Sequence, residues 1–362
     1  MNITIEYKSF SKLVKNSYVN VGEKDSIWII VEQGVGRIEY MSLDGIYEYT
    51  APFTPITVSE EGQINLPFKQ FYKYIKSIVR DFSIVSKRDK CFLKYSGGSI
   101  SFPIGKGIYT EIIKPGDFFY IDNFKKSILS VKDFIGCEGD VLENICIRRK
   151  DETLEISGLN GAYFALNKNS CPQEFKENRL LIRESVIKPI LRFIDEKTVV
   201  SVTDKRVFFK NANDEIFSIP RTIDNTYPDY DVFLKHFEKE SKLYKVTIDR
   251  NIIVKSLERM GYAEIESAKF FFDDKKLNIV NSSKNCAIED SIQIIHSQGP
   301  ILKNILFTAE NLMKVFTHCS DKNIVLTFTT ENGPCRIQGE EDERYMAIVM
   351  PLIDSSDKDF MF

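Results

Sequence analysis

Hydrophobic and polar positions along this 362-residue chain repeat one phrase. A short run with apolar residues at every second position is followed by a polar or turn residue, then by apolar residues at helical spacing. Period two marks a half-buried strand and period 3.6 an amphipathic helix. The phrase opens with Ile3-Thr4-Ile5 and a helix over 7–17. It returns as Ile64-Asn65-Leu66 with 68–80, Phe119-Tyr120-Ile121 with 123–132, and Leu180-Leu181-Ile182 with 185–194. The last two copies are Val246-Thr247-Ile248 with 250–260 and Ile305-Leu306-Phe307 with 309–320. Ile5 to Leu66 spans 61 positions, Ile121 to Ile182 spans 61, and Ile248 to Phe307 spans 59. Stretches 26–31, 153–157, 205–210 and 269–279 alternate as strands or hairpins do, and Ser96-Gly97-Gly98-Ser99 reads as a hairpin turn. The pattern predicts an α+β fold of three similar domains, each with two helices and antiparallel sheets. The expected domains are 1–115, 116–240 and 241–353, with a tail over 354–362; the borders fall near Lys114-Pro115-Gly116 and near 237–241, both polar and turn-like.

Charge sharpens this picture. The formal net charge is −3, which by itself suggests no anionic partner. The six predicted helices, with the fourth counted from Arg183, nevertheless carry 17 basic and 3 acidic residues of the chain's 49 and 52. Lys69, Lys73, Lys76 and Arg80 fall at i, i+4, i+7 and i+11, one stripe of a helix, with Phe71, Ile75, Ile78 and Phe82 marking the opposite stripe. Lys8, Lys12 and Lys15 repeat the arrangement against Phe10, Leu13 and Val14. Lys125, Lys126, Lys132, Lys188, Arg192, Lys255 and Arg259 extend it to three further helices. Cations without acidic partners on their own helix repel one another, so such a stripe implies an external anion. A duplex phosphate backbone supplies regularly spaced charge and is bound without sequence preference. The aromatic residues lie on the buried stripes, which argues against base stacking. Repeated helices turning cations toward one duplex imply a ring around it.

Other functions find no support in the residues. The seven cysteines include no CxxC pair and the three histidines stand at no ligand spacing, so neither a metal site nor a disulfide framework is expected. No phosphate-binding loop, dinucleotide fingerprint or HExxH is present, and neither catalysis nor a cofactor is expected. The acidic run Glu340-Glu341-Asp342-Glu343 reads as a solvated loop. No apolar run is long enough to span a membrane, and Met1-Asn2-Ile3-Thr4-Ile5-Glu6 reads as a strand rather than a secretion signal, so a cytoplasmic protein is expected.

Several local sequences carry a resemblance. They are the opening 3–14, Leu66-Pro67-Phe68-Lys69-Gln70-Phe71, the loop Ser157-Gly158-Leu159-Asn160-Gly161-Ala162-Tyr163-Phe164-Ala165, the turn Tyr227-Pro228-Asp229-Tyr230, and Ala347-Ile348-Val349-Met350-Pro351-Leu352. In these the chain resembles the bacterial DNA polymerase III β subunit, the β sliding clamp family, along essentially its whole length. The resemblance implies a non-catalytic, head-to-tail homodimeric ring that encircles double-stranded DNA, tethers a DNA polymerase and is placed by a clamp loader. It implies a partner-peptide groove of Leu159, Gly161, Tyr163, Phe164, Pro228, Val232, Phe233, Ile265, Thr308, Pro334, Ile348, Met350, Pro351 and Leu352. It also implies a further DNA contact at Lys24, and a dimer interface setting Phe102 and Ile104, on an edge strand, against Met260 and Tyr262. The family usually places a His-Arg pair where Ala162-Tyr163 stand, and basic residues after the Pro-Asp-Tyr turn where Asp231-Val232 stand. Pro189 falls inside the fourth helix and requires that helix to start near Ser185. The chain also continues past the family's usual end to Phe360-Met361-Phe362, a candidate occupant of such a groove. Two other readings remain: a monomeric, non-sequence-specific DNA-binding protein, and a clamp paralogue serving a specialised polymerase.

Overall fold

The computed structural model describes residues 1–17, 21–105, 109, 112–136, 141–222, 226–239, 243–282 and 286–352. In chain order the elements begin β1 (Asn2–Ile5), α1 (Tyr7–Ser17), β2 (Ser26–Glu32), β3 (Val35–Met41), β4 (Glu48–Phe53), β5 (Thr57–Glu60), β6 (Gly62–Pro67) and α2 (Phe68–Ser77). They continue as β7 (Phe82–Lys87), β8 (Lys90–Tyr95), β9 (Gly98–Pro103), β10 (Phe119–Tyr120), α3 (Phe124–Val131), β11 (Asn144–Lys150), β12 (Thr153–Leu159), β13 (Tyr163–Ser170) and β14 (Arg179–Arg183). Next come α4 (Glu184–Phe193), β15 (Val199–Val202), β16 (Arg206–Lys210), β17 (Ile216–Pro220), α5 (Asp231–Lys239), β18 (Tyr244–Asp249) and α6 (Arg250–Tyr262). The last are β19 (Ser267–Phe272), β20 (Lys276–Ser282), β21 (Ala287–Gln298), β22 (Asn304–Thr308), α7 (Ala309–His318), β23 (Asn323–Phe328), β24 (Cys335–Gly339) and β25 (Tyr345–Val349). All six strand–helix phrases are present, as β1–α1, β6–α2, β10–α3, β14–α4, β18–α6 and β22–α7.

The chain forms two units: Met1–Lys125 with Pro172–Lys176 and Ser185–Thr222, and Lys126–Cys171 with Glu177–Glu184 and Ile223–Phe362. The first unit holds a five-stranded sheet, β5-β1-β7-β8-β9, and an eight-stranded sheet, β10-β15-β16-β17-β4-β3-β2-β6. Alternation along β1 sends Ile3 and Ile5 inward, under α1. There Phe10 meets Phe53, Phe71 and Phe82 edge-on, with ring centroids at 5.0, 6.3 and 5.9 Å. The eight-stranded sheet is continuous because β4 pairs with β17, Tyr49 opposite Phe217. The same junction buries Arg206 Nε at 2.9 Å from Glu48 Oε2. Glu215 is also buried there and accepts from the Tyr49 hydroxyl (2.9 Å) and the Asn16 amide (2.9 and 3.2 Å). Burial of charge demands such partners.

The second unit is built on a twelve-stranded sheet, β14-β11-β12-β13-β25-β24-β23-β18-β21-β20-β19-β22. The long β21 turns a corner: its first half pairs with β20 and its second with β18. At the start of α6 the Asp249 carboxylate accepts from the backbone N–H groups of Asn251 and Ile252, which would otherwise be unpartnered.

Several expectations need correction. The second helix stops at Ser77, because Ile78 is extended (φ −86°, ψ 131°). Arg80 therefore follows the helix rather than ending its stripe, and Phe82 opens β7. A seventh helix, α5, runs through the expected border near 237–241. It starts where the Asp229 carboxylate accepts from the Asp231 N–H (3.1 Å). The fourth helix does start beside Ser185, at Glu184, with Pro189 inside it. The Ser185 carbonyl, which the proline cannot serve, accepts instead from the Tyr47 hydroxyl (3.1 Å). Of the described cysteines, Cys91, Cys146, Cys319 and Cys335 are buried, Cys171 is intermediate and Cys286 exposed, all as free thiols. Cys137, the His236 side chain and the tail 353–362, including Phe360-Met361-Phe362, lie outside the described residues.

Candidate functional site

In the first unit α1, α2 and α4 bury one face and charge the other. α1 buries Phe10 and Val14 while Lys8, Lys12 and Lys15 are exposed; α2 buries Phe68, Phe71 and Ile75 while Lys73 and Lys76 are exposed. Lys188 and Arg192 are exposed on α4. Lys15, Asn16, Tyr72 and Arg192 share the lining of a cavity of about 440 Å³, so all three helices meet at one basic hollow. Not every expected cation is available. Lys69 pairs with Glu23, lowering that carboxyl below its ordinary value. Lys125 donates to the Ile194 carbonyl (2.8 Å), closing the C-terminal end of α4. Lys24 is exposed in the loop before β2.

In the second unit Lys126 on α3 and Lys255 on α6 are exposed, while Lys132 sits in a 3₁₀ turn after α3 and pairs with Asp133 (2.5 Å). Arg259 is engaged by Asp290 (2.8 Å) and Ser256 (3.3 Å). The 3₁₀ turn touches α7: His318 Nε2 lies 3.8 Å from Asp133 Oδ2. His318, then Lys132, holds the Asp133 carboxyl down to about 2.

The expected groove residues largely converge in this unit. Sheet register sets Leu159 opposite Phe164 and Phe164 opposite Ile348, one row across β12, β13 and β25. With Tyr227, Tyr230, Phe237 and Met346 they form a buried cluster. α5, which packs Leu234 and Phe237 on this cluster, exposes Val232 and Phe233, and Met350 and Leu352 are exposed after β25. The Met350 N–H donates to the Ala162 carbonyl (3.0 Å) and the Leu352 N–H to Leu306 (2.7 Å), pinning the segment after β25. Tyr163 leaves a tight turn in which Gly161 has φ +84° and the Asn160 side chain accepts from the Tyr163 N–H (2.9 Å). Its hydroxyl reaches Thr308 (3.4 Å) and accepts from Asn311 on α7.

Phe164, Ile348 and Leu159 are thus floor rather than rim. Ile265 is buried beside the end of α6, with its N–H on the Met260 carbonyl (2.9 Å), and neither it nor Pro334 belongs to the cluster. Of the expected interface residues, Phe102 lies on β9, an edge strand, but is buried against Phe71 and Tyr74. Met260 is wholly buried, so within this chain neither side chain offers surface; Tyr262 is 85% exposed. Sequence reasoning missed Arg148 and Glu155, which with Asp231 lock the 228–231 turn. Their only linear signal was charge within an alternating strand.

The fold defined by these sheets and paired helices is a clamp fold. No protein-family model matches the chain. It is similar to the beta sliding clamp of Rickettsia bellii, 19% identical over 356 residues that cover 88% of this chain and 92% of the relative. It is similar also to the Rickettsia felis protein of the same name, 20% identical over 335 residues (84% and 86%). Among solved structures it matches the DNA polymerase III β subunit of Pseudomonas aeruginosa with a TM-score of 0.84 at 14% identity, over 98% of this chain and 100% of that one. The Thermotoga maritima β subunit matches at 0.78 and 18%, with the same coverage. The chain has the fold of the DNA polymerase III β subunit.

Proposed function

We propose that the chain is a DNA sliding clamp, a processivity factor without catalytic chemistry of its own. Two copies close head to tail around duplex DNA, each contributing three clamp domains over 1–115, 116–240 and 241–353. A clamp loader places the ring, and a DNA polymerase docks a short peptide segment over the Leu159–Phe164–Ile348 floor, so that the ring holds the enzyme at a high effective concentration on its template. The protein acts in the cytoplasm. The observation that carries this reading is the match of fold to charge. Over nearly its whole length the chain follows the β-subunit fold, and its helices turn Lys8, Lys12, Lys15, Lys73, Lys76, Lys126, Lys188, Arg192 and Lys255 to solvent although the chain as a whole is weakly acidic. Service to a specialised polymerase is the second reading. It is favoured by the groove rim, where Tyr163 and Asp231 stand at positions that the family usually makes basic. No helix among the described residues is long and apolar enough to cross a membrane.

The test is primer extension on a singly primed circular template by replicative and specialised polymerases of the same cell, with and without the clamp and its loader. Longer products with one polymerase support the proposal and identify the partner. Unchanged product length with every polymerase contradicts it.

A further inference from the structure

The 226–239 segment, which supplies Pro228, Val232 and Phe233 to the groove, is fastened to the sheet by arginines from three strands. Arg179 of β14 stacks on Tyr227 and donates to its carbonyl (3.0 Å), and Arg336 of β24 lies over Phe237 at 5.3 Å. Arg148 of β11 does most. Register places it opposite Glu155 of β12. Its Nε and Nη2 reach Glu155 Oε2 at 3.0 and 2.6 Å, Nη2 reaches Asp231 Oδ1 at 2.7 Å, and Nη1 reaches Asp229 Oδ1 at 3.2 Å. The guanidinium also lies over the Tyr230 ring at 4.0 Å, and the Tyr230 hydroxyl donates to the same Glu155 oxygen (2.9 Å).

One planar fork therefore gathers three carboxylates and a phenol, with Lys150 on Asp231 (2.8 Å) as the second cation. Lysine, a point charge without a fork, cannot reproduce this arrangement. We infer that Arg148 is the positioning residue of the peptide groove: by binding Asp229, Asp231 and Glu155 together it sets the 228–231 turn and so the height of Val232 and Phe233 above the apolar floor. Without it Asp229 loses its cation and Asp231 is tied to β11 through Lys150 alone, so the turn that carries the two rim side chains is no longer set by the fork. Glu155, whose side chain is 3% exposed, is left as a buried charge without a cation. The inference rests on the groove reading above.

The test separates position from charge compensation, using full-length protein and a fluorescein-labelled hexapeptide ending in Leu-Phe. Arg148→Met lowers both stability in urea and peptide affinity, the latter by at least about tenfold. Arg148→Met with Glu155→Gln removes the stranded carboxylate, so stability returns toward wild type while affinity stays low. Arg148→Lys keeps the charge and still binds more weakly than wild type. Recovery of affinity together with stability in the double variant, or full affinity with lysine, overturns the positioning role and leaves the groove reading intact. Failure of the wild type to bind the hexapeptide overturns both.

Discussion

Changing Lys8, Lys12 and Lys15 to glutamine removes three exposed cations from α1 while breaking no ion pair, because none of the three has an acidic partner among the described residues. The buried face of α1, with Phe10 at its centre, is untouched, so stability should stay within about 0.5 kcal/mol of wild type. The DNA effect is large by contrast. If each lysine neutralises one phosphate, the slope of log affinity against log salt becomes shallower by about 2.7. Between about 50 and about 200 mM salt, wild type then loses roughly 40-fold more affinity than the variant. Fluorescence anisotropy of a labelled duplex across that range measures both slopes. Lys125→Gln is the control: its ammonium closes α4 at the Ile194 carbonyl, so it should lower stability more than it changes the slope. Equal slopes for wild type and the triple variant would refute the assignment of α1 to the DNA face.

Three further outcomes are expected. Tyr47→Phe removes the donor to the Ser185 carbonyl and should cost about 0.5–1.5 kcal/mol in urea unfolding; with Pro189→Ala, which restores a backbone donor, the cost should shrink. Asp133 is held near 2 in the folded chain against an ordinary 3.8, so the stability it contributes is complete above about pH 4 and fades as pH falls through 2; Asp133→Asn should flatten that part of a stability–pH curve. Phe233→Ser, at a residue 46% exposed, should leave unfolding nearly unchanged and weaken hexapeptide binding, whereas Phe164→Ala in the floor should cost about 3–5 kcal/mol of stability; equal stability losses would erase the distinction between rim and floor.

Strand–helix alternation was legible in the sequence because period two and period 3.6 are local properties, and every phrase from Ile3 to Phe307 became a strand and a helix. Helix ends were less so: nothing in Lys76-Ser77-Ile78-Val79-Arg80 announces that Ile78 turns extended. α5 was missed because its last turn, from Phe237, falls in the polar stretch 237–241 that reads as a border. The groove floor emerged only once register set Leu159, Phe164 and Ile348 in one row. Whether a cation is available is a tertiary property too: Lys73 and Lys125 look alike in the chain, yet one is exposed and the other holds a helix end. Arg148 was hidden for the same reason, since Glu155, Asp229 and Asp231 reach it only through sheet pairing and a turn.

The central claim is topological, and linearisation tests it most directly. The protein is loaded on a nicked circular plasmid, moved to high salt where phosphate contacts fail, and the plasmid is cut once before gel filtration. A closed ring stays with the circle and leaves after the cut. Loss from the intact circle at the same salt, with loading confirmed beforehand, would contradict the clamp and leave an ordinary electrostatic DNA binder.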